Sequence, residues 1–151
     1  MGIEARQGIW DFQLQMKKAL GIDLGDARVG VAVSDDLGML AHPLETISVK
    51  TIDPLKRILA LAAERSADTI VVGMPRNMNG SHGPAAEKAK AFIEDLRREG
   101  TCKVIPWDER LSTVSAQRAL HESGRNAKQQ KSVIDQVAAQ IILQSWLDSV
   151  A

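Results

Sequence analysis

The stretch Ala19-Leu20-Gly21-Ile22-Asp23-Leu24-Gly25-Asp26-Ala27-Arg28-Val29-Gly30-Val31-Ala32-Val33-Ser34 decides the fold. Ala19–Asp23 reads as a short buried strand. Gly25-Asp26 is turn chemistry, and Val29–Ser34 alternates with period two. Two strands joined through a tight Gly-containing turn form an antiparallel hairpin. Met39–Ile47 reads as a third strand, interrupted by Pro43, which suits an edge position. Asp53-Pro54 starts a helix: Asp caps, and Pro fits the first helical position. Leu55, Ile58, Leu59 and Ala62 follow at helical spacing. Thr69–Gly73 is a short β-forming run, and strand, helix and strand in succession imply parallel pairing through a crossover.

Further along, Met74–Gly83 is a loop rich in Pro, Asn and Gly. A second helix is expected over Pro84–Glu99, with Ala85, Ala89, Phe92, Ile93 and Leu96 on one face and Gly100 as its stop. Lys103–Trp107 reads as a fifth strand. Ser112 or Thr113 caps a third helix ending near Gly124. Arg125–Lys131 is polar and basic, and a final helix carries Val133, Ile134, Val137, Ala138, Ile141 and Ile142. The order β-β-β-α-β-α-β-α-α is that of an α/β protein, a mixed five-stranded sheet with helices on both faces.

The 151 residues suit one domain, placed at 18–151. Residues 1–17 show no clear period and read as an extension outside that core. Hydrophobic residues make up 44% and charged residues 25%, the composition of a globular chain rather than a disordered one. Lys plus Arg equals Asp plus Glu at 19 each, so any case for a nucleic-acid partner rests on local clusters. No apolar run approaches the roughly 18 residues of a membrane helix. Glu4, Arg6 and Asp11 interrupt the first fifteen residues, against a secretory signal. The single cysteine, Cys102, excludes an internal disulfide and reads as a buried strand residue. A cytoplasmic setting is expected. The five aromatics include no Tyr, and Phe92 and Trp146 fall within helical apolar patterns, which disfavours a base-stacking single-strand binder.

Three acids stand where a fold does not ordinarily put them. Asp23 ends an apolar strand, Glu109 follows the fifth strand, and Asp135 lies in the first turns of an otherwise apolar helix. Burying a carboxylate without a partner is costly. Ala138 and Ala139, three and four residues after Asp135, let that helix approach the sheet closely. Strands one, four and five point the same way, so Asp23 and Glu109 emerge at one edge, where open α/β sheets form their sites. Three converging carboxylates repel one another, and Mg²⁺ or Mn²⁺ resolves the repulsion with hard oxygen ligands. Two such ions, about 3.5–4 Å apart, clamp a phosphodiester for in-line displacement. Each acid alone also reads as plain structure: Asp23 as a turn-former, Glu109 as a partner of Arg110, Asp135 as a first-turn acid favoured by the helix dipole.

Four motifs carry a resemblance. Gly21-Ile22-Asp23-Leu24-Gly25 with Arg28–Asp35, Val71–Pro75 with Met78–Ser81, Asp108–Thr113, and Asp135 followed by Val137–Ala139 and Ile142–Gln144 together resemble the YqgF/RuvX family of ribonuclease-H-like nucleases. They occur in the family's order over residues 18–148. The resemblance implies an RNase H-like fold, metal-dependent phosphodiester cleavage, and Asp23, Glu109 and Asp135 as catalytic and metal-binding acids. The family pattern often has Asp where Asn79 stands. Two substrates are implied: precursor 16S ribosomal RNA, cut to mature its 5′ end, and four-way DNA junctions. The RNA role is favoured, since a junction resolvase generally needs a dimer and no dimer interface is visible in the sequence. Monomer and homodimer both stay open.

Asp108 is a second-choice ligand, pointing away from Glu109 in extended geometry. Arg28 and Arg110 are candidates for holding phosphate with paired guanidinium donors. Asn79, Gly80 and Ser81 offer donors to a nucleic-acid strand. Between Arg110 and Lys131 lie five basic residues (Arg110, Arg118, Arg125, Lys128, Lys131) against one acid, Glu122. Arg125, Lys128 and Lys131 would form a basic rim ahead of the Asp135 helix. His42, His82 and His121 have no ligand spacing. Two rivals stand beside the nuclease. One is an actin-like or sugar-kinase ATPase, which shares the Gly-x-Asp-x-Gly hairpin but needs two such domains. The other is a nucleic-acid-binding module that keeps the fold without cleaving.

Overall fold

The computed structural model describes residues 18–75, 83–113 and 127–151, with side chains of the last stretch from Ile134 onward. The strands are β1 (Lys18–Leu24), β2 (Arg28–Ser34), β3 (Ala41–Ser48), β4 (Ala67–Met74) and β5 (Lys103–Asp108). The helices are α1 (Pro54–Glu64), α2 (Pro84–Glu99) and α3 (Ala127–Val150), and a 3₁₀ turn, Glu109–Leu111, follows β5. The five strands lie in the order β3-β2-β1-β4-β5. β1 and β2 form the expected antiparallel hairpin, closed by the Gly25 N–H donating to the Arg28 carbonyl at 3.0 Å. β4 runs parallel to β1, and β5 parallel to β4.

Pro43 lies in an edge strand, as expected of a residue with no N–H to donate. The register of β3 against β2 shifts between Val31 and Ala32. The strand begins at Ala41 rather than Met39, because Asp35 holds the preceding turn: its Oδ1 accepts from the Met39 N–H at 2.8 Å. The crossover through α1 does not pair β3 with β4. It carries the chain past β2 and β1, and β4 pairs with β1. Asp53 caps α1, accepting from the Leu55 N–H at 3.0 Å, and Pro54 takes its first position. α2 spans the expected residues and stops at Gly100.

The sheet separates two apolar layers. On one face Leu20, Ile22, Val29, Val31, Ile70 and Val72 pack against Ile58 and Leu61 of α1 and Ile93 and Leu96 of α2. On the other face the sheet offers mostly small side chains, Ala19, Ala32, Ala41 and Val71, against Ala138, Ala139, Ile142, Leu143 and Leu147 of α3. Alternation along each strand makes this division, since successive residues point to opposite faces. Phe92 and Trp146 pack against these layers, in line with their periodicity.

Four sequence expectations need correction or fall outside the described residues. α3 starts at Ala127, so Lys128 and Lys131 belong to the helix rather than to a loop before it. Asp135 stands nine residues in (127 to 135), beyond the reach of the first-turn dipole. The helix expected after Ser112 and Thr113 falls on residues outside those described, and Ser112 itself ends the 3₁₀ turn. Cys102 is half-buried just before β5, not inside it. Its Sγ lies 3.4 Å from the Ala67 carbonyl, and burial pushes the thiol pKa up. Among the described residues no helix is long and apolar enough to cross a membrane.

Candidate active site

The site grows from one row of three residues. Asp23 pairs with Gly30 across the β1–β2 hairpin. One position beyond the Ile22–Val72 pair, Asp23 also stands beside Gly73 of β4. Period-two alternation puts all three on the α3 face, the face shared by Ala19, Ala32 and Val71. Asp23 is therefore flanked at about 5 Å, the spacing of neighbouring strands, by two residues with no side chain. Those two gaps are where the other acids come in.

Over Gly30 lies the backbone of α3. A Cβ built on Gly30 would fall 1.9 Å from the Asp135 carbonyl oxygen and 3.1 Å from the Asp135 Cβ. Over Gly73 lies Glu109: a Cβ there would fall 2.9 Å from Glu109 Oε1 and 2.5 Å from Ile142 Cδ1. Gly21, two residues before Asp23 on the same face, takes the Ala139 carbonyl in the same manner, at 2.8 Å. Gly21, Gly30 and Gly73 thus seat α3 on the sheet. The small Ala138 and Ala139, both buried, complete the close approach expected from the sequence. Asp23, Glu109 and Asp135 consequently share one face at the carboxyl ends of β1 and β4.

Their surroundings differ. Asp23 is 3% exposed and Glu109 7% exposed, the two buried acids of the chain's described part. Asp135 is partly buried, and its Oδ2 accepts from Arg28 Nε at 2.9 Å. Arg28, Gly30 and Ala32 alternate onto the α3 face, which places this guanidinium beside Asp135. Among the described residues no three His, Cys, Asp or Glu side chains stand together as a group that could hold a metal ion. The donor types are nevertheless those a hard divalent cation takes: carboxylate oxygens, with Asp23 and Glu109 deeply buried and Asp135 paired with Arg28.

Asp108 and Arg110 go elsewhere. Asp108 caps the 3₁₀ turn through the Arg110 N–H at 2.9 Å, and its carboxylate takes the Arg110 guanidinium at 2.7–3.2 Å. That pairing raises the Arg110 pKa. Arg110 therefore pairs with Asp108, not with Glu109. Arg110 remains exposed at the same edge. Asn79, Ser81 and Arg125 lie outside the described residues, as do the side chains of Lys128 and Lys131. Sequence reasoning missed Gly30 and Gly73 as parts of the site. The signal was there, since a glycine inside a strand marks close approach of another backbone or group. It also missed the Arg28–Asp135 pair, which joins residues 107 apart and leaves no local trace.

Comparisons with known proteins bear on the family and the fold. A family model described as "RuvX: Holliday junction resolvase" matches residues 17–149. A protein of Geobacillus kaustophilus named "Putative pre-16S rRNA nuclease" is 50% identical over 135 residues, covering 87% of this chain and 98% of that protein. A protein of the same name from Ruegeria sp. is 47% identical over 136 residues, 89% of this chain and 86% of the relative. Among solved structures, T. thermophilus RuvC in complex with a Holliday junction substrate superposes with a TM-score of 0.54 at 16% identity, covering 89% of this chain and 95% of that one. A second Thermus thermophilus RuvC structure gives 0.51 at 15% identity. At such identities the likeness speaks for the fold: the mixed five-stranded α/β sheet expected from the strand order, in the RNase H-like form implied by the family resemblance. With the family match spanning residues 17–149 and half of 135 aligned residues identical to a relative covered over 98% of its length, the chain belongs to the RuvX family.

Proposed function

We propose that this chain is a divalent-metal-dependent endonuclease that cleaves phosphodiester bonds, with precursor 16S rRNA near its 5′ end as substrate. The observation that carries the reading is the Gly30–Asp23–Gly73 row, which puts three carboxylates on one face at the strand ends. Asp23, Glu109 and Asp135 are the residues that would hold Mg²⁺ or Mn²⁺, two ions by the chemistry of in-line displacement. When bound, the ions supply Lewis-acid polarisation of the phosphodiester and charge neutralisation at its attacking and leaving oxygens. The chain's own residues do the rest. Burial of Asp23 and Glu109 keeps bulk water from screening their charge. α3, seated on glycines, fixes the position of Asp135. Arg28 stands where its guanidinium can take a phosphate oxygen, and the exposed Arg110 adds positive charge at the same edge. The RNA reading is supported by relatives at about half identity that carry the rRNA nuclease name.

The test is cleavage of precursor rRNA and of a four-way DNA junction, side by side, with Mg²⁺ or Mn²⁺. Cleavage of the RNA near the 5′ end of 16S is expected. Cleavage of the junction alone would move the substrate to DNA, and cleavage of neither would overturn the enzyme reading. Asp23→Asn, Glu109→Gln and Asp135→Asn are each expected to abolish turnover while the fold survives. Two of the three retaining wild-type turnover would dismiss the site. Mn²⁺ at a hundredfold excess over Kd adds about 2.7 kcal/mol of stability by linkage. That is a melting shift of about 5–10 °C for a chain of this size, and Asp23→Asn removes most of it.

A further inference from the structure

We infer that Arg28 is a built-in counter-cation for Asp135, competing with the divalent ion for the same carboxylate and released to the substrate phosphate when the ion arrives. The inference rests on the metal-site reading above and deepens it. Arg28 reaches Asp135 through Nε alone, at 2.9 Å. Among the described residues its two terminal nitrogens have no protein partner. A guanidinium held by one nitrogen, with its remaining donors open, is oriented but not used up. The side chain of Arg28 is 35% exposed and that of Asp135 19%, so the pair lies at the mouth of the site rather than inside it.

The charge arithmetic gives the arginine a reason to be there. Without a cation, three carboxylates at one sheet edge repel one another, and a fixed positive charge on the outermost acid relieves part of that repulsion. When a divalent ion takes the Asp135 oxygens, Arg28 loses its partner and faces a doubly charged ion. A phosphate oxygen then becomes its best acceptor, and Arg–phosphate pairing is among the stronger charge-assisted bonds. Metal and nucleic acid are coupled through one side chain, and the coupling is reciprocal: each tightens the binding of the other.

The experiment is a double-mutant cycle read by isothermal titration with Mn²⁺ and no substrate: wild type, Arg28→Gln, Asp135→Asn and the double variant. Lys88→Gln is the charge control. Lys88 donates to Asp26 Oδ1 at 2.9 Å and to the Gly25 carbonyl at 3.4 Å, on the same hairpin but away from Asp135. Arg28→Gln is expected to tighten Mn²⁺ binding about two- to fivefold beyond the effect of Lys88→Gln, the factor a partly exposed ion pair supplies. That extra gain should vanish in the Asp135→Asn background. In chelator, Asp135→Asn should bind a labelled RNA oligonucleotide more tightly than wild type, and the double variant should lose that gain. Arg28→Gln binding Mn²⁺ no more tightly than Lys88→Gln, or gaining equally without Asp135, overturns the inference and leaves the metal site intact. Asp135→Asn with wild-type Mn²⁺ affinity overturns the metal-site reading itself.

Discussion

Gly30→Ala is the perturbation that most directly tests how the site is assembled. The new Cβ would stand 1.9 Å from the Asp135 carbonyl oxygen, against ordinary contact at 3.4 Å or more. The difference, 3.4 − 1.9, requires α3 to withdraw by about 1.5 Å. The obstacle is helix backbone, anchored further along by Ala139, Ile142 and Leu143 in the core, so it yields only as a unit. Overpacking of this kind costs about 1–3 kcal/mol, less the few tenths that replacing Gly regains from the unfolded chain. At about 2–4 °C per kcal/mol, the melting temperature falls by about 2–12 °C. Asp135 moves with the helix, and a misplacement near 1 Å costs about a hundredfold in turnover. Gly73→Ala is the matched comparison. Its Cβ meets Ile142 Cδ1 at 2.5 Å and Glu109 Oε1 at 2.9 Å, both ends of rotatable side chains. It should lose turnover by displacing Glu109 yet lose less stability than Gly30→Ala. The assays are a thermal melt and a cleavage time course on both variants. Wild-type melting and turnover in Gly30→Ala would refute the claim that backbone contact at this glycine places Asp135. Equal destabilisation by the two variants would refute the distinction between backbone and side-chain obstacles.

Binding to nucleic acid should weaken steeply with salt. Lys128→Ala with Lys131→Ala should flatten the salt slope by about one unit per lost phosphate contact, and an unchanged slope would place the binding surface elsewhere. A chain beginning at Met16 should melt within a few degrees of the full chain, whereas loss of soluble protein would assign Trp10 and Phe12 to the core. Glu45 accepts two hydrogen bonds of 2.7 Å from Arg57, which hold its carboxyl below the ordinary value of 4.5. A depressed carboxyl stabilises the fold above the unfolded value and loses that contribution as pH falls through the folded one. The melting gap between wild type and Glu45→Gln should therefore be full above pH 4.5 and close in more acid solution, and a gap independent of pH would discount the pair.

Local chemistry made most of the fold legible. Val29–Ser34 alternates because a strand half-faces each layer, Asp53-Pro54 opens α1 because both residues suit a helix start, and Pro43 marks an edge because it cannot donate. These are properties of a few consecutive residues, and they survive in the sequence unchanged. Asp23, Glu109 and Asp135 also stood out locally, as carboxylates at the ends of apolar runs, and the motifs around them pointed to the family. Which strand lies beside which was another matter. β4 pairs with β1 rather than with β3, its neighbour in sequence, and that choice determines that Asp23 has a glycine on each side. Nothing local distinguishes Gly30 and Gly73 from any strand glycine until α3 and Glu109 are laid over them. The start of α3 misled for a related reason: Lys128 and Lys131 look like loop because they are polar, but backbone hydrogen bonding rather than polarity sets where a helix begins. The pairing of Arg28 with Asp135 belongs wholly to the tertiary structure. Long-range contacts are made by burial and register acting together, and a sequence read along its length carries the chemistry of each partner but not their meeting.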